Sequence, residues 1–334
     1  MDTVFVLGAG FSAPARMPVQ ADIMRQIVTR ESQKRTRQTI RNLFYALTAE
    51  KMWDIPLEDL FTVLDRARNG RETLVGFTHR QLDESYKTLI CAIVAEFDRR
   101  LDAFDADPYL PFVAQLAERR ASNEDAFSIL TLNWDTILDS LLLNVDYGCE
   151  TTRLDPEEPA PEGGALLLKL HGSLNWLVCT SCGRLFASNA RAERPVVLQP
   201  YARTCRFCPG TELESLIITP TLLKNLSFAH LAGVWHRALV ELQSAKRIVF
   251  AGYSLPLADF EFRYTLLRAV IGNTAASIRV VLYPPDQALR EERERMRRDE
   301  TEARYRAFFG ARDLDFRFMD VTAFMADPIL LWHW

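Results

Sequence analysis

The stretch Val4-Phe-Val-Leu-Gly-Ala-Gly-Phe-Ser12 carries the strongest structural signal of this chain. An apolar run begins almost at the first residue, breaks at Gly8-Ala9-Gly10 and gives way to a helical pattern. A buried parallel strand turns in this way into a helix whose first N–H groups can face a phosphate. Two glycines suit such a turn, because it is tight and because its backbone must approach a pyrophosphate closely. The third glycine of the usual dinucleotide fingerprint is absent, so a plain strand–turn–helix remains the alternative.

Composition places the chain among ordinary globular proteins. It has 334 residues, 48% of them hydrophobic and 25% charged, which is enough for an ample core. The net charge of −4 argues against a general nucleic-acid binder. No apolar run approaches the roughly 20 residues of a membrane span, and the first residues do not resemble a secretion signal. Six cysteines do not make a disulfide scaffold at this length, so we expect a reducing, cytoplasmic location.

Apolar strand patterns alternate with helical patterns along the chain. This alternation predicts an α/β fold, in which a Rossmann-like parallel sheet carries helices on both faces. We treat residues 1–334 as one such domain, with a helical insertion at 20–120 between the first two strands. Strands are predicted at 2–7, 127–132, 165–170, 216–219, 247–251 and 277–282, and further helices at 222–244, 257–271 and 286–304.

Polar or glycine-rich clusters follow four of these strands. They are Gly8–Ser12, Asn133–Asp135, His171 and Gly252–Ser254. Ligands of parallel sheets bind at the carboxyl ends of the strands, where such clusters meet. The sequence therefore predicts one ligand site built from all four.

Two cysteine pairs, Cys179-x-x-Cys182 and Cys205-x-x-Cys208, are separated by 22 residues. Two such pairs can close a tetrahedral thiolate cage around zinc. A four-thiolate site leaves no position for water, so the metal would be structural. We assign a zinc module to residues 176–212. The alternative is four unliganded cysteines in a core, which the paired spacing disfavours.

In this order, the motifs resemble those of the sirtuin superfamily, and more closely its bacterial sirtuin-like branch from antiphage defence than the protein deacetylases. The resemblance rests on the glycine turn, on the two cysteine pairs and on three further motifs. These motifs are Leu132-Asn-Trp-Asp135, Lys169-Leu-His-Gly-Ser-Leu-Asn-Trp176, and Gly252-Tyr-Ser-Leu-Pro256 with Asp259.

The resemblance implies that the protein binds NAD and holds a structural zinc ion. By position, the turn residues Gly8, Ala9, Gly10, Phe11 and Ser12 would bind the pyrophosphate and the adjacent ribose. Gly252, Tyr253 and Ser254 would contact phosphate and adenosine. Asn133 and Asp135 would lie beside the nicotinamide and its ribose, and His171 matches the catalytic histidine.

The departures from the deacetylases concern mainly the peptide-binding half of the pattern. The stretch Ala15-Arg-Met-Pro18-Val-Gln20 stands where they have Gly-Ile-Pro-Asp-Phe-Arg, so Asp-Phe-Arg is absent. Ile218-Thr219-Pro220 stands where Phe-Gly-Glu helps to grip an acyl-lysine peptide. Leu132 replaces a glutamine, and Tyr283 replaces an asparagine that often holds the adenine ribose. The half of the pattern that concerns NAD is better preserved.

We therefore expect an NAD glycohydrolase that releases nicotinamide and ADP-ribose. Asp135 would orient the nicotinamide, Asn133 would position water or the ribose hydroxyls, and His171 would act as general base. From the residues alone, Asn133 could instead cap the following helix, Asp135 could be a first-turn acid and His171 an ordinary turn residue.

The functional alternatives are an NAD-dependent protein deacylase and a non-catalytic module that binds NAD or ADP-ribose in a larger complex. The resemblance also implies NAD depletion in antiphage defence, with a homo-oligomer or a partner such as an ATPase or an Argonaute-like protein. The terminal Trp332-His333-Trp334 is unusually apolar, and we expect it to dock on its own domain or at a subunit contact.

Overall fold

A computed structural model describes most of the chain. The described residues are 2–18, 23, 38, 42, 57–74, 76–122, 126–142, 144–153, 164–188, 204–208, 213–221, 229–282 and 291–334. Several predicted segments lie outside this set, so their assignments stay predictions. They are most of residues 20–56 of the insertion, residues 189–203 and 209–212 of the zinc module, the helix segments 222–228 and 286–290, and Tyr283. Within the described part, no helix combines the length and the apolar character that crossing a membrane requires.

Seven strands form a fully parallel sheet, as the alternating pattern predicts. In order across the sheet they are β11 (Leu314–Phe318), β10 (Ser277–Leu282), β9 (Arg247–Ala251), β1 (Thr3–Leu7), β2 (Phe127–Thr131), β5 (Ala165–Lys169) and β3 (Val145–Asp146). Every neighbouring pair is parallel. The central strand β1 is buried along its whole length.

The helices cover both faces of this sheet. On one face lie α1 (Leu57–Gly70), α2 (His79–Leu101), α3 (Leu110–Ser122), α4 (Ile137–Leu141), α8 (Val321–Ala326) and α9 (Pro328–Trp332). On the other lie α5 (Ala229–Ser244), α6 (Phe260–Gly272) and α7 (Glu291–Phe309). Alternate residues of β1 feed the two layers: Phe5 and Leu7 the first, Val4 and Val6 the second. Burial on both sides explains why the strand is apolar from Val4 to Leu7.

A second sheet of four strands projects from the end of β5. Its order is β4 (Thr152–Arg153), β7 (Leu185–Ala187), β6 (Gly172–Cys179) and β8 (Leu213–Ile217). The predicted strand at 216–219 was wrong in its bounds, because β8 ends at Ile217. It was also assigned to the wrong sheet, because β8 pairs antiparallel with β6 in this small sheet. An apolar run shows that a strand is buried but does not show which sheet receives it.

Gly172 allows the chain to pass from one sheet to the other. It has φ +76°, and a Cβ there would lie 2.0 Å from the carbonyl oxygen of Leu216. The left-handed conformation and the close backbone contact both require glycine. His171, just before it, is thereby held at the boundary between the sheets.

The terminal tryptophans dock on their own domain, one of the two predicted outcomes. Trp332 is 1% exposed, and its ring packs edge-on against Phe5 with centroids 5.3 Å apart. Its indole N–H donates to Gln115 Oε1 at 3.2 Å. Trp334 lies under the guanidinium of Arg279, 4.1 Å from the ring centroid. The tail therefore closes one face of the parallel sheet.

Candidate functional site

All four predicted clusters contribute to one pocket at the carboxyl ends of the central strands. It encloses a cavity of about 170 Å³. Nine of the predicted ligand and catalytic residues line it, namely Gly8, Ala9, Ser12, Asn133, Asp135, His171, Gly252, Tyr253 and Ser254. Gly10 and the Phe11 ring do not line the pocket. The Phe11 ring packs instead in the core against Tyr109 and Phe112.

The two glycine-bearing loops cross in direct backbone contact. The N–H of Gly10 donates to the carbonyl oxygen of Gly252 at 2.8 Å. A Cβ on Gly8 would lie 2.7 Å from the same oxygen, and Gly252 itself has φ +64°. Any larger side chain at these positions would separate the loops. The turn after β1 is thus shaped by its contact with the loop after β9.

Asn133 is tied to the glycine turn and is not a helix cap. Its Nδ2 donates to the carbonyl oxygen of Gly8 and to Ser12 Oγ, both at 2.9 Å. The following helix begins at Ile137, with Thr136 at its N-cap position. The capping alternative for Asn133 was therefore wrong, because three more residues follow it before the helix starts.

Asp135 is a buried carboxyl at the base of the pocket. Its Oδ2 accepts from Ser12 Oγ at 2.7 Å, and its Oδ1 accepts from the backbone N–H of Ile137 at 3.2 Å. The alternative that Asp135 is a first-turn acid was wrong, because Asp135 precedes the N-cap residue Thr136 and the acidic residue of the first turn is Asp139. Burial raises the pKa of Asp135, although the charge of Lys169 and the Ser12 hydroxyl act in the opposite direction.

A buried ion pair lies behind Asp135. Lys169 Nζ donates to the carbonyl oxygen of Asp135 at 2.5 Å and to Asp139 Oδ2 at 2.8 Å. The Tyr147 hydroxyl donates to the other oxygen of Asp139 at 2.7 Å. The contacts among Lys169, Asp139 and Tyr147 were not predicted from the sequence. The lysine at the end of the apolar strand Ala165–Lys169 was a usable signal, because lysine is almost never fully buried without a partner.

His171 presents one ring nitrogen to the backbone and the other to a carboxylate. Its Nδ1 lies 3.1 Å from the carbonyl oxygen of Leu132, which assigns the Nδ1 proton to this bond. Its Nε2 lies 3.2 Å from Asp259 Oδ1, but the two atoms are not aligned as a hydrogen bond. Asn133 and His171 are equivalent in the sheet, because each lies two residues beyond the paired Thr131 and Lys169.

Asp259 belongs to the motif quoted above but was not among the predicted site residues. It is 7% exposed and lines the pocket. The Tyr253 hydroxyl donates to its Oδ2 at 2.9 Å. Burial, together with the nearby Asp259 charge, raises the pKa of Tyr253 well above its usual value, so this phenol stays protonated.

The helical insertion supplies an apolar wall that sequence analysis did not assign to the site. Leu57 and Phe97 line the pocket together with Met17, Trp134 and Ile218. Periodicity cannot distinguish a pocket wall from a core, because both are apolar helix faces. The carboxyls that line the pocket belong to Glu58, Asp135 and Asp259, and none of the described lining residues is Lys or Arg.

The four cysteines meet at the end of the small sheet. Their Sγ atoms all lie within 4.8 Å of one another, and those of Cys182 and Cys205 are 3.8 Å apart. Tetrahedral zinc with Zn–S bonds of about 2.3 Å would separate its ligands by about 3.8 Å. The backbone N–H of Arg184 lowers the pKa of Cys182 to about 7, whereas burial raises the pKa of Cys205 and the contact with Cys182 raises that of Cys208 to about 12. Four thiolates would therefore need a metal cation to offset their charge. The donor set therefore fits a structural zinc ion.

Comparisons with known proteins find similarity only at the level of solved structures. No protein-family profile matches the chain, and no curated protein matches it. Sir2Tm bound to a propionylated peptide aligns with 98% of this chain and 92% of its own, at 14% identity and a TM-score of 0.43.

Two further structures give comparable alignments. A Sir2 mutant with p53 peptide and NAD aligns over 98% and 92% of the two chains, at 13% identity and a TM-score of 0.46. A Sir2 homologue mutant with ADP-ribose aligns over 93% and 94%, at 14% identity and a TM-score of 0.40. At these identities no activity is transferred from those proteins to this chain, and the function proposed below rests on the residues of the site.

Proposed function

We propose that the protein is an NAD⁺ glycohydrolase, which converts NAD⁺ and water to nicotinamide, ADP-ribose and a proton. One observation carries the proposal. Asn133, Asp135 and His171 come from loops after the adjacent strands β2 and β5, and they line one pocket together with the glycine turn after β1. Such an arrangement could place a pyrophosphate at the turn and the glycosidic bond beside the three side chains.

The reaction needs charge stabilisation and a positioned nucleophile. As the bond from the ribose to the nicotinamide nitrogen lengthens, positive charge develops on the ribose carbon, and the electron pair leaves with the nicotinamide. The three carboxyls of the pocket, with no described lysine or arginine among its lining residues, suit a developing cation. His171 would accept the proton of the attacking water, and the water oxygen forms the new bond to carbon.

Asn133 and Asp135 would orient the two reacting groups. Both protons of the Asn133 amide are committed to Gly8 and Ser12, which fixes the side chain and leaves its Oδ1 to accept from water or a ribose hydroxyl. Asp135 would accept a hydrogen bond from the nicotinamide carboxamide. Buried, pre-oriented acceptors of this kind lose little energy to reorganisation as the charge develops.

The segment after β8 favours hydrolysis over deacylation. The N–H of Ile218 donates to the carbonyl oxygen of His171 at 2.8 Å, and its own carbonyl accepts from the Trp134 indole at 3.1 Å. Both backbone groups are therefore committed within the chain. An extended acyl-lysine peptide would need free main-chain groups there to pair with.

The test measures by chromatography how much nicotinamide is released from NAD⁺. It is made with the purified protein and in cells that express it. His171→Ala and Asn133→Ala should lower turnover by at least about 100-fold. His236→Ala is the matched control, because His236 is exposed on α5, and it should retain full turnover. An acetyl-lysine peptide that is deacylated only with NAD⁺ would establish the deacylase instead. Tight NAD⁺ or ADP-ribose binding without turnover, alone or in an assembly, would establish a binding module.

We extend the proposal to a role in antiphage defence, which follows from the resemblance of the motifs. In this role the protein would deplete cellular NAD⁺ during infection, as a homo-oligomer or with an ATPase or Argonaute-like partner. The measurement is cellular NAD⁺ and phage yield in a bacterial host that carries the protein with or without His171→Ala. Equal phage yields and equal NAD⁺ levels in the two strains would remove the defence role.

A further inference from the structure

The side chain of Asp259 contacts partners that are unusual for an aspartate at the start of a helix. It occupies the N-cap position of α6, where an aspartate normally accepts from the N–H groups of the first turn. Its side chain makes no such bond. The carboxylate lies instead between Nε2 of His171, at 3.2 Å, and the hydroxyl of Tyr253, at 2.9 Å. A cap is worth about 1 kcal/mol, so this orientation gives up stability at the edge of the pocket.

The contact with His171 is favourable in only one protonation state. The Nδ1 proton of His171 is committed to the carbonyl of Leu132, so a neutral imidazole carries a lone pair on Nε2. The carboxylate oxygen 3.2 Å away therefore interacts unfavourably with this electron-rich nitrogen. Once Nε2 takes up a proton, the same 3.2 Å contact becomes an ion pair.

The surrounding loop holds Asp259 in this place. The Tyr305 hydroxyl of α7 donates to the carbonyl oxygen of Tyr253 at 2.9 Å, and Arg304 Nε donates to that of Ser254 at 3.1 Å. Leu255, fully buried in the same loop, has φ +50°. A non-glycine residue in this region persists only where its surroundings hold it there.

We propose that Asp259 is a positioning residue, which stabilises the imidazolium of His171 that forms when Nε2 accepts a proton from the attacking water, and that Tyr253 fixes its carboxylate. The inference rests on the proposed hydrolysis, which supplies the water. The proton passes from water to Nε2 and later to solvent, and no other bond to the protein forms or breaks. Glu58 and Asp135 are the other carboxyls that line the pocket, and no lysine or arginine is among its described lining residues. The charge of Arg263, in the first turn of α6, acts on Tyr253.

The kinetic test compares two N-cap aspartates. Asp259→Asn keeps the size of the side chain and removes its charge, and it should lower kcat by about 10- to 100-fold with KM changed less than about threefold. Tyr253→Phe removes one hydrogen bond to the carboxylate, and its kcat should lie between those of wild type and Asp259→Asn. Asp320→Asn is the control, because Asp320 caps α8 through Thr322 and its kcat should not change. A kcat unchanged in both Asp259→Asn and Tyr253→Phe would overturn the proposal.

A second measurement needs no turnover. Nitrogen NMR of ¹⁵N-histidine protein follows protonation of Nε2 in His171, with His171→Ala identifying its signals among the five histidines. The midpoint should move to lower pH in Asp259→Asn and stay in place in Asp320→Asn. An unmoved midpoint in folded Asp259→Asn overturns the role of Asp259. A moved midpoint in a protein that never consumes NAD⁺ supports the His171–Asp259 pair and overturns the hydrolase proposal alone.

Discussion

Ser12 and Asp135 lie 123 residues apart in the chain, yet the Ser12 hydroxyl donates a buried 2.7 Å hydrogen bond to the Asp135 carboxylate. The same hydroxyl oxygen accepts from Asn133 Nδ2 at 2.9 Å. One small side chain thus joins the turn after β1 to the side chains of Asn133 and Asp135 after β2. The bond exists because β1 and β2 are parallel neighbours, which brings their carboxyl ends to the same edge of the sheet.

Replacing Ser12 should weaken both folding and function. Ser12→Ala leaves a buried carboxylate oxygen and the Asn133 amide without this partner, so we expect a loss of about 1–3 kcal/mol in the free energy of unfolding. NAD⁺ turnover should fall by about tenfold or more, because the two side chains that we propose to act in hydrolysis lose their orientation. Urea unfolding and nicotinamide release measure the two effects. Ser244→Ala, at the exposed end of α5, should change stability by less than about 0.5 kcal/mol. Equal stability of the two variants would show that the Ser12 bond contributes nothing.

The raised pKa of Asp135 predicts a specific dependence of stability on pH. The folded chain holds the Asp135 proton to a higher pH than the unfolded chain does. Its ionised carboxyl therefore costs stability above the raised pKa, and this cost is relieved as the pH falls through that pKa toward about 3.9. Relative to Asp135→Asn, which cannot ionise, the wild type should become less stable as the pH rises. Urea unfolding of both proteins from pH 4 to 8 measures the difference, and a difference that does not vary with pH would contradict the shift.

The cysteine cluster predicts bound zinc. Metal analysis of the purified protein should find about one zinc ion per chain. Cys205→Ser should lose the ion and lower the melting temperature, since a closed thiolate site contributes directly to folding. Cys91→Ser should keep it, because Cys91 is exposed on α2 and lies outside the cluster. Zinc retained at full stoichiometry in Cys205→Ser would mean that the four thiolates do not form the site.

Two glycines should respond in opposite ways to the same substitution. Gly172→Ala places a Cβ 2.0 Å from a backbone oxygen at φ +76°, so we expect a loss of at least about 3 kcal/mol in the free energy of unfolding. Gly233→Ala lies in α5 with no atom near the new Cβ, and it should gain about 0.5–1 kcal/mol. Chemical unfolding of both variants compares them directly. A Gly172→Ala protein as stable as wild type would show that the junction between the sheets can shift.

Much of the architecture was predictable because strands that are buried on both faces have mostly apolar sequences. β1, β2, β5, β9 and β10 are mostly apolar, and helical patterns separate them. The edge strand β11 escaped prediction because its Leu314–Phe318 sequence contains two charged residues, Asp315 and Arg317. The apolar run at 216–219 was assigned to the wrong sheet, because apolar residues can pack equally well in either sheet.

The residues alone established the parallel α/β fold, the four-cysteine cluster and the gathering of the glycine turn, Asn133, Asp135 and His171 at one edge. Each follows from local patterns, namely strand periodicity, metal-ligand spacing and the common direction of parallel strands. Only the tertiary structure decided the partners of these groups, because hydrogen bonds between distant segments produce no periodic pattern in the sequence. The Ser12–Asp135 bond, the Lys169–Asp139 pair and the approach of Asp259 to His171 all depend on how the loops cross above the sheet.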